Sequence, residues 1–259
     1  GFIESAKEES IEAILEMARY KEEGRLRLLL VTGCLSQRYG AEVKKEMPEV
    51  DAFLGVAEYE KVFEAIAAAA RGARPLLPGE GRRLLDAPRV LTTPSYSAYV
   101  KISDGCDNRC AYCAIPLIRG PYRSRPLDDV LRECEGLAAG GASELTLIAQ
   151  DTSRYGNDFA AKKLLLPELL RRVDDMAGVH WTRVLYCYPD TVTDELLDAI
   201  AALPTACKYL DLPLQHYDGE LLRRMNRRGT PDLIDALVEK CRARGILVRT
   251  TMIVGFPGE

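Results

Sequence analysis

The chain has 259 residues, 47% of them hydrophobic, with a formal net charge of −4 and only two histidines. That is enough apolar material for one large domain or one and a half ordinary ones, which excludes a disordered tail. The acidic balance argues against broad nucleic-acid binding, although LLRRMNRRGT leaves room for a local anionic contact.

A first helix is predicted from Ser5 to about Gly24. Ile11, Ile14, Leu15 and Ala18 fall on one face, Ser5 and Glu8 have the spacing of a capping box, and Gly24 is a stop. The strand LRLLLVTG follows, then a polar helical stretch after Ser36, a short apolar DAFLG, and an alanine-rich helix from about Glu58 to Arg71. This αβαβα order is typical of a parallel sheet layered by helices, so residues 1–71 read as part of an open α/β domain. Residues 72–94, rich in proline and glycine and without a period, read as a linker.

From 95 to 259, strand-like runs recur at SAYVKIS, ELTLIAQ, WTRVLYCY, KYLDLPLQ and ILVRTTMIVG. Helix signals separate them: Val130, Leu131, Cys134 and Leu137 share a face, and Thr230 with Pro231 opens a helix that Gly245 closes. Five strands alternating with helices predict right-handed βα units in a parallel sheet that curls toward a partial barrel, with any active site at the carboxyl ends of the strands. No apolar run is long enough to cross a bilayer, and GFIESAKEES has neither the basic nor the apolar part of a signal peptide. A cytoplasmic location without a membrane partner is expected. In that reducing compartment clustered cysteines are metal ligands or catalysts more often than disulfides.

Three of the eight cysteines, Cys106, Cys110 and Cys113, stand in a C-x3-C-x2-C spacing directly after the first of the later strands. A structural zinc site wants four closed ligands, and His180 and His216 lie far along the chain without paired spacing. An iron–sulfur cubane held by three thiolates leaves one iron open to a small chelating molecule. Three buried, unrelated cysteines are the bland alternative.

This loop, with Tyr112 just before its last cysteine, resembles that of radical S-adenosylmethionine (SAM) enzymes. GCDNRCAYCAIPLIRG, LIAQDTSRYG, LDLPLQH, RMNRRGT and TTMIVGFPGE together resemble the methylthiotransferase branch of that superfamily, and GFIESAKEES with VTGCL is similar to its amino-terminal domain. The resemblance implies a [4Fe-4S] cluster on Cys106, Cys110 and Cys113, SAM chelated to the open iron, and a 5′-deoxyadenosyl radical made with one electron from the cluster, which an electron donor reduces. It further implies a second cluster, of which Cys34 would be one ligand and two cysteines outside this chain the others, so that one cluster is expected here. A sixth barrel strand and a small carboxyl-terminal domain are expected to lie beyond Glu259.

The implied reaction is methylthiolation of an aspartate of small-subunit ribosomal protein twelve. QDTSRYG favours this over the transfer-RNA branch, which has Gln-Asn-Val there and acts on a modified adenosine. A non-catalytic electron carrier is disfavoured, because carriers close their clusters with four protein ligands.

Candidate cofactor contacts are Tyr112 on the loop and the strand-end residues Gln150, Asp151, Gln215, Arg249 and Gly255, the last because a glycine permits close backbone approach. Their alternative roles are capping, turn chemistry and a surface ion pair. His216 lines the cavity or is structural, and His180 is structural. Cys134, Cys187, Cys207 and Cys241 are assigned no metal, and Asp174 with Asp175 reads as a solvated helix end.

Overall fold

The computed structural model describes residues 3–79 and 89–259. They form two compact units: the described residues up to Gly79 together with Ala114–Pro121, and those from Arg89 to Cys113 together with Tyr122–Glu259.

In the first unit, helix α1 spans Glu4–Glu22 and ends where Gly24 takes a φ of +73°. Its amino-terminal cap is Ile3, without a side-chain hydrogen bond, so the expected Ser5–Glu8 capping box does not form: Ser5 already lies inside the helix. Ile14 and Ala18 are buried, whereas Ile11 and Leu15 are 36% and 45% exposed, a narrower apolar stripe than the sequence predicts. Strand β1 is only Leu30–Thr32. The carboxylate of Asp51 takes the Leu29 amide at 2.7 Å and pairs with Lys21, also at 2.7 Å, which fixes the chain just before the strand.

Helix α2, Cys34–Glu46, begins at the turn made by Gly33, two residues before Ser36. Strand β2, Ala52–Leu54, is buried on both faces, and a short 3-10 turn at Tyr59–Lys61 leads into α3, Val62–Ala70. The region read as a linker contains a third strand, β3, Leu76–Leu77, which pairs in parallel with Phe53 and Leu54 of β2. Two residues are too few to show a period. The rest of the predicted linker from 80 to 88 lies outside the described residues.

The sheet order is β1-β2-β3, all parallel. Side chains alternate across it: Phe53 packs with Ile14, Leu35 and Val43 of the first two helices, while Ala52 and Leu54 pack with Ala65 and Ala69 of α3. Gly55 ends β2 where a Cβ would lie 2.0 Å from the Pro78 carbonyl oxygen, so only glycine fits. A short helix α4, Ile115–Arg119, also belongs to this unit, with Ala114 and Ile118 against Val56 and Cys34.

The second unit carries strands β4 (Ser97–Lys101), β7 (Glu144–Ile148) and β8 (Trp181–Val184), paired in parallel in that order, and the parallel pair β9 (Tyr209–Asp211) and β10 (Leu247–Arg249). The amide of Thr182 donating to Thr205 at 2.8 Å and that of Cys187 to Asp211 at 2.9 Å join the two sets. A small antiparallel pair, β5 (Ser103–Asp104) and β6 (Arg123–Ser124), brackets the cysteine loop. Helices α5 (Leu127–Ala139), α6 (Leu166–Asp174), α7 (Asp194–Ala202), α8 (Gly219–Arg224) and α9 (Pro231–Ala243) alternate with the strands. Ala98, Val100, Leu145, Leu147, Leu169, Leu197 and Leu210 are fully buried in one core.

Each strand is shorter than its apolar run. β8 stops before Tyr186, whose φ is +64°, and β9 stops two residues before Pro213. Asp174 is not merely solvated: its carboxylate accepts from the amide and hydroxyl of Thr205 at 2.8 and 2.6 Å. Among the described residues no helix is long and apolar enough to cross a membrane.

Candidate metal centre

The cysteine loop leaves β5 at Gly105, which turns the chain with a φ of +79°, and Arg109 adds a second left-handed residue at +50°. Cys106 and Cys110 are buried and Cys113 is half-buried. The Cys113 amide donates to the Cys110 carbonyl at 2.9 Å, closing the turn that carries Tyr112. Burial pushes the Cys106 thiol up; the Asn108 backbone amide opposes the rise, and the Asp151 carboxylate and the thiols of Cys110 and Cys113 add to it.

Among the described residues no three His, Cys, Asp or Glu side chains surround a point that suits a single metal ion. Three cysteines on one loop, with no fourth, instead match a multi-iron cluster in which separate irons take one thiolate each. Cys34 lies in the other unit, at the start of α2, and that unit contains no second cysteine.

The loop is held from behind by the segment after β7. Asp151 is fully buried; Asn108 Nδ2 donates to its Oδ2 and Ser153 Oγ to its Oδ1, both at 3.0 Å. Burial raises the Asp151 carboxyl, and these two donors oppose the rise. Ser153 Oγ also accepts the Tyr188 amide at 2.9 Å and meets Thr191 Oγ1 at 2.7 Å. The Tyr188 hydroxyl in turn lies 2.8 Å from Cys110 Sγ. Asp107 accepts the Tyr122 amide at 3.1 Å and faces Arg154 at 3.7 Å. Asp151 thus supports the loop through Asn108, with both oxygens engaged.

The other expected cofactor residues divide. Gln150 has a buried Oε1 without a hydrogen-bond partner, an acceptor left open at the end of β7. Gln215 sits at a φ of +73°, unusual for a side chain with a Cβ, fixed by the Thr251 carbonyl at 2.9 Å and the Ile253 amide at 2.7 Å. Arg249 pairs with Asp211 at 3.3 Å, and the second oxygen of Asp211 accepts the Tyr186 amide at 3.0 Å.

Gly255 has a φ of +72° and open space where a Cβ would be, so its glycine answers to a backbone angle and not to any close approach within the protein. Among the described residues no hydrogen bond links Gln215 or Arg249 to the cysteine loop. Tyr112 is half-exposed, its phenol raised by burial. His216 accepts the Asp218 amide at 2.9 Å, a turn-making role.

Sequence reasoning missed Asn108, Ser153, Tyr188 and Arg227. The only signal for Arg227 is its place in RMNRRGT, and a tyrosine after a strand carries none.

The radical SAM superfamily model matches residues 100–259, from β4 to the last residue. The chain belongs to the radical SAM superfamily. A second model, the uncharacterized protein family UPF0004, matches residues 1–55. Curated relatives include the ribosomal protein uS12 methylthiotransferase RimO of Desulforamulus reducens, 48% identical over all of this chain and 59% of the relative. The protein of the same name from Heliobacterium modesticaldum is 51% identical over all of this chain and 57% of the relative. The chain therefore spans a little over half the length of these relatives. Among solved structures, the radical SAM methyltransferase TsrM of Kitasatospora setae matches with a TM-score of 0.65 at 20% identity, covering 88% of this chain and 50% of that one. The cobalamin-dependent radical SAM enzyme OxsB matches at 0.64 and 13% identity, over 95% of this chain and 39% of that one. Both likenesses are of fold, and they agree with the radical SAM α/β architecture described above.

Proposed function

We propose that this chain is the larger part of a cytoplasmic radical SAM methylthiotransferase that modifies an aspartate of small-subunit ribosomal protein twelve. The observation that carries the reading is the loop of Cys106, Cys110 and Cys113, braced at the carboxyl end of a parallel sheet, in a chain 48–51% identical along its whole length to proteins named for that activity. In this reading residues 1–71 form part of a second-cluster domain to which Cys34 contributes, and residues 95–259 are the first five strands of a barrel.

A cluster held by Cys106, Cys110 and Cys113 would supply one-electron reduction of SAM, the chemistry that activation of an aspartate C–H bond requires. The residues of the chain bind and orient. Cys106, Cys110 and Cys113 hold the irons, while Asp151 and Ser153 fix Asn108 and with it the loop. Gln150 would offer its unpartnered oxygen to SAM, with Gln215 and Arg249 near the ends of the last two strands as further contacts and Gly255 in the turn that follows. Tyr112 shields the loop from water. Keeping water away from a radical is the protein's main share in such chemistry. An acidic protein suits a basic ribosomal protein as partner better than it suits RNA.

Anaerobic reconstitution with iron and sulfide is expected to load one four-iron cluster, and the Cys106→Ala, Cys110→Ala, Cys113→Ala triple variant to load none. The longer parent protein, with SAM, a reductant and the ribosomal protein, is expected to add a methylthio group to one aspartate-containing peptide, read by mass spectrometry. Methylthiolated adenosine in transfer RNA, with the ribosomal protein unchanged in the same mixture, would replace this reading with its transfer-RNA counterpart.

A further inference from the structure

The turn after α8 grips four successive residues of the cysteine loop. A guanidinium nitrogen of Arg228 donates to Asn108 Oδ1, Asn226 Nδ2 donates to the Arg109 carbonyl at 2.9 Å, and the Ala111 amide donates to the Met225 carbonyl at 2.8 Å. Between them, Arg227 Nη1 lies 3.9 Å from Cys110 Sγ. Arg109 and Asn226, which bond each other, both have a φ of +50°, routine for asparagine but for Arg109 a conformation that the surroundings must hold.

Arg227 is the unusual member. It is 6% exposed, its guanidinium lies 3.6 Å from the centroid of the Tyr188 ring, another nitrogen donates to the Pro213 carbonyl, and its Nε has no hydrogen-bond partner. Among the described residues no carboxylate lies within salt-bridge distance of it. A buried cation without a counter-ion is costly, and one ring face offsets only part of that cost. The anion it faces is the Cys110 sulfur, once that sulfur is a thiolate, and the Tyr188 hydroxyl approaches the same sulfur from 2.8 Å.

Charge and hydrogen bonds directed at a cluster's sulfur ligands favour the reduced, more negative state and raise the reduction potential. We propose that Arg227, backed by Tyr188, is a positioning residue that holds the Cys110 sulfur and makes the cluster on this loop easier to reduce. The inference rests on the reading of the loop as a cluster site. The step concerned is uptake of one electron from a low-potential one-electron donor: the cluster charge falls by one, no bond breaks, and no proton is needed.

The test is a redox titration of the reconstituted chain, followed by the paramagnetic resonance of the reduced cluster. Arg227→Met is expected to disfavour reduction at least tenfold, a downward shift of about 59 mV for a one-electron couple. Tyr188→Phe is expected to shift the potential less in the same direction, and Arg227→Lys, which keeps the charge, to recover part of the loss. If Arg227→Met fails to load iron, the other two variants carry the test. Potentials equal to that of the unaltered chain in every variant that loads overturn the proposal, as does an unchanged potential with a weakened spectral response to added SAM, which would make Arg227 a SAM ligand. An unaltered chain that binds no cluster at all would instead defeat the functional reading.

Discussion

Asp151 shows how one buried carboxylate ties several segments together. Its two oxygens take Asn108 from the cysteine loop and Ser153, and through Ser153 the network reaches Tyr188 and Thr191. Removing a partner from such a set leaves buried donors unsatisfied, at about 1–3 kcal/mol for each group stranded. Asp151→Ala is therefore expected to lower the unfolding free energy of the cluster-free chain by about 2–6 kcal/mol in urea, summing two such losses. Asp151→Asn should cost clearly less, because the amide can accept from Asn108 with its oxygen and donate to the Ser153 hydroxyl with its nitrogen. Equal losses for the two substitutions would mean that the negative charge, and not the hydrogen-bond pattern, holds the loop. The sequence showed Asp151 as a polar residue after a strand, but not that its partner would come from the cysteine loop, because Asn108 lies 43 positions away.

At the scale of elements, caps separate what was legible from what was not. Thr230 and Pro231 announced α9, and Thr230 Oγ1 does accept the Leu233 amide at 3.3 Å. Ser5 and Glu8 showed an equally good pattern, yet α1 starts one residue before Ser5 and no side chain caps it. A cap depends on which residue leaves helical geometry first, and nothing in a spacing of three residues settles that. Thr230→Ala is accordingly expected to cost about 1 kcal/mol, the usual value for a formed cap. Ser5→Ala should leave the urea midpoint unchanged within error, since Ser5 supplies no bond to an end group. A loss at Ser5 matching that at Thr230 would show that the capping box forms in solution. Apolar runs also found the five parallel strands of the second unit, but not the short antiparallel partner β6. The runs extend past the strand ends, because the stops are made by a left-handed Tyr186 and by Pro213, local conformations that a count of apolar residues does not register. β3 was invisible for the opposite reason, being two residues in a proline-rich stretch.

For the molecule as a whole, three buried cysteines outside the loop make stability fall in alkali. Cys134 on α5, Cys187 after β8 and Cys241 on α9 are fully buried in the core of the second unit, and burial raises each thiol above its ordinary value, that of Cys134 to about 12 from 9.0. Below pH 9 both the folded and the unfolded chain keep these protons, and stability is at its full value. Between pH 9 and about 12 the unfolded chain releases the Cys134 proton while the folded chain retains it, so unfolding gains about 1.4 kcal/mol for each pH unit per thiol. The contribution is lost as pH rises, in contrast to that of a paired carboxylate, which is lost as pH falls. With iron absent and reductant present, the urea midpoint of the chain is expected to fall from pH 8 to pH 10.5, with Cys134 alone responsible for about 2 kcal/mol. The decisive quantity is the difference between the chain and its Cys134→Ala variant, which cancels every other titrating group. The variant starts lower at pH 8, because a small cavity replaces the sulfur, and should then lose less stability on going to pH 10.5. Two curves that run parallel across this range would show that the Cys134 thiolate is accommodated in the folded chain and that the core around α5 opens to water.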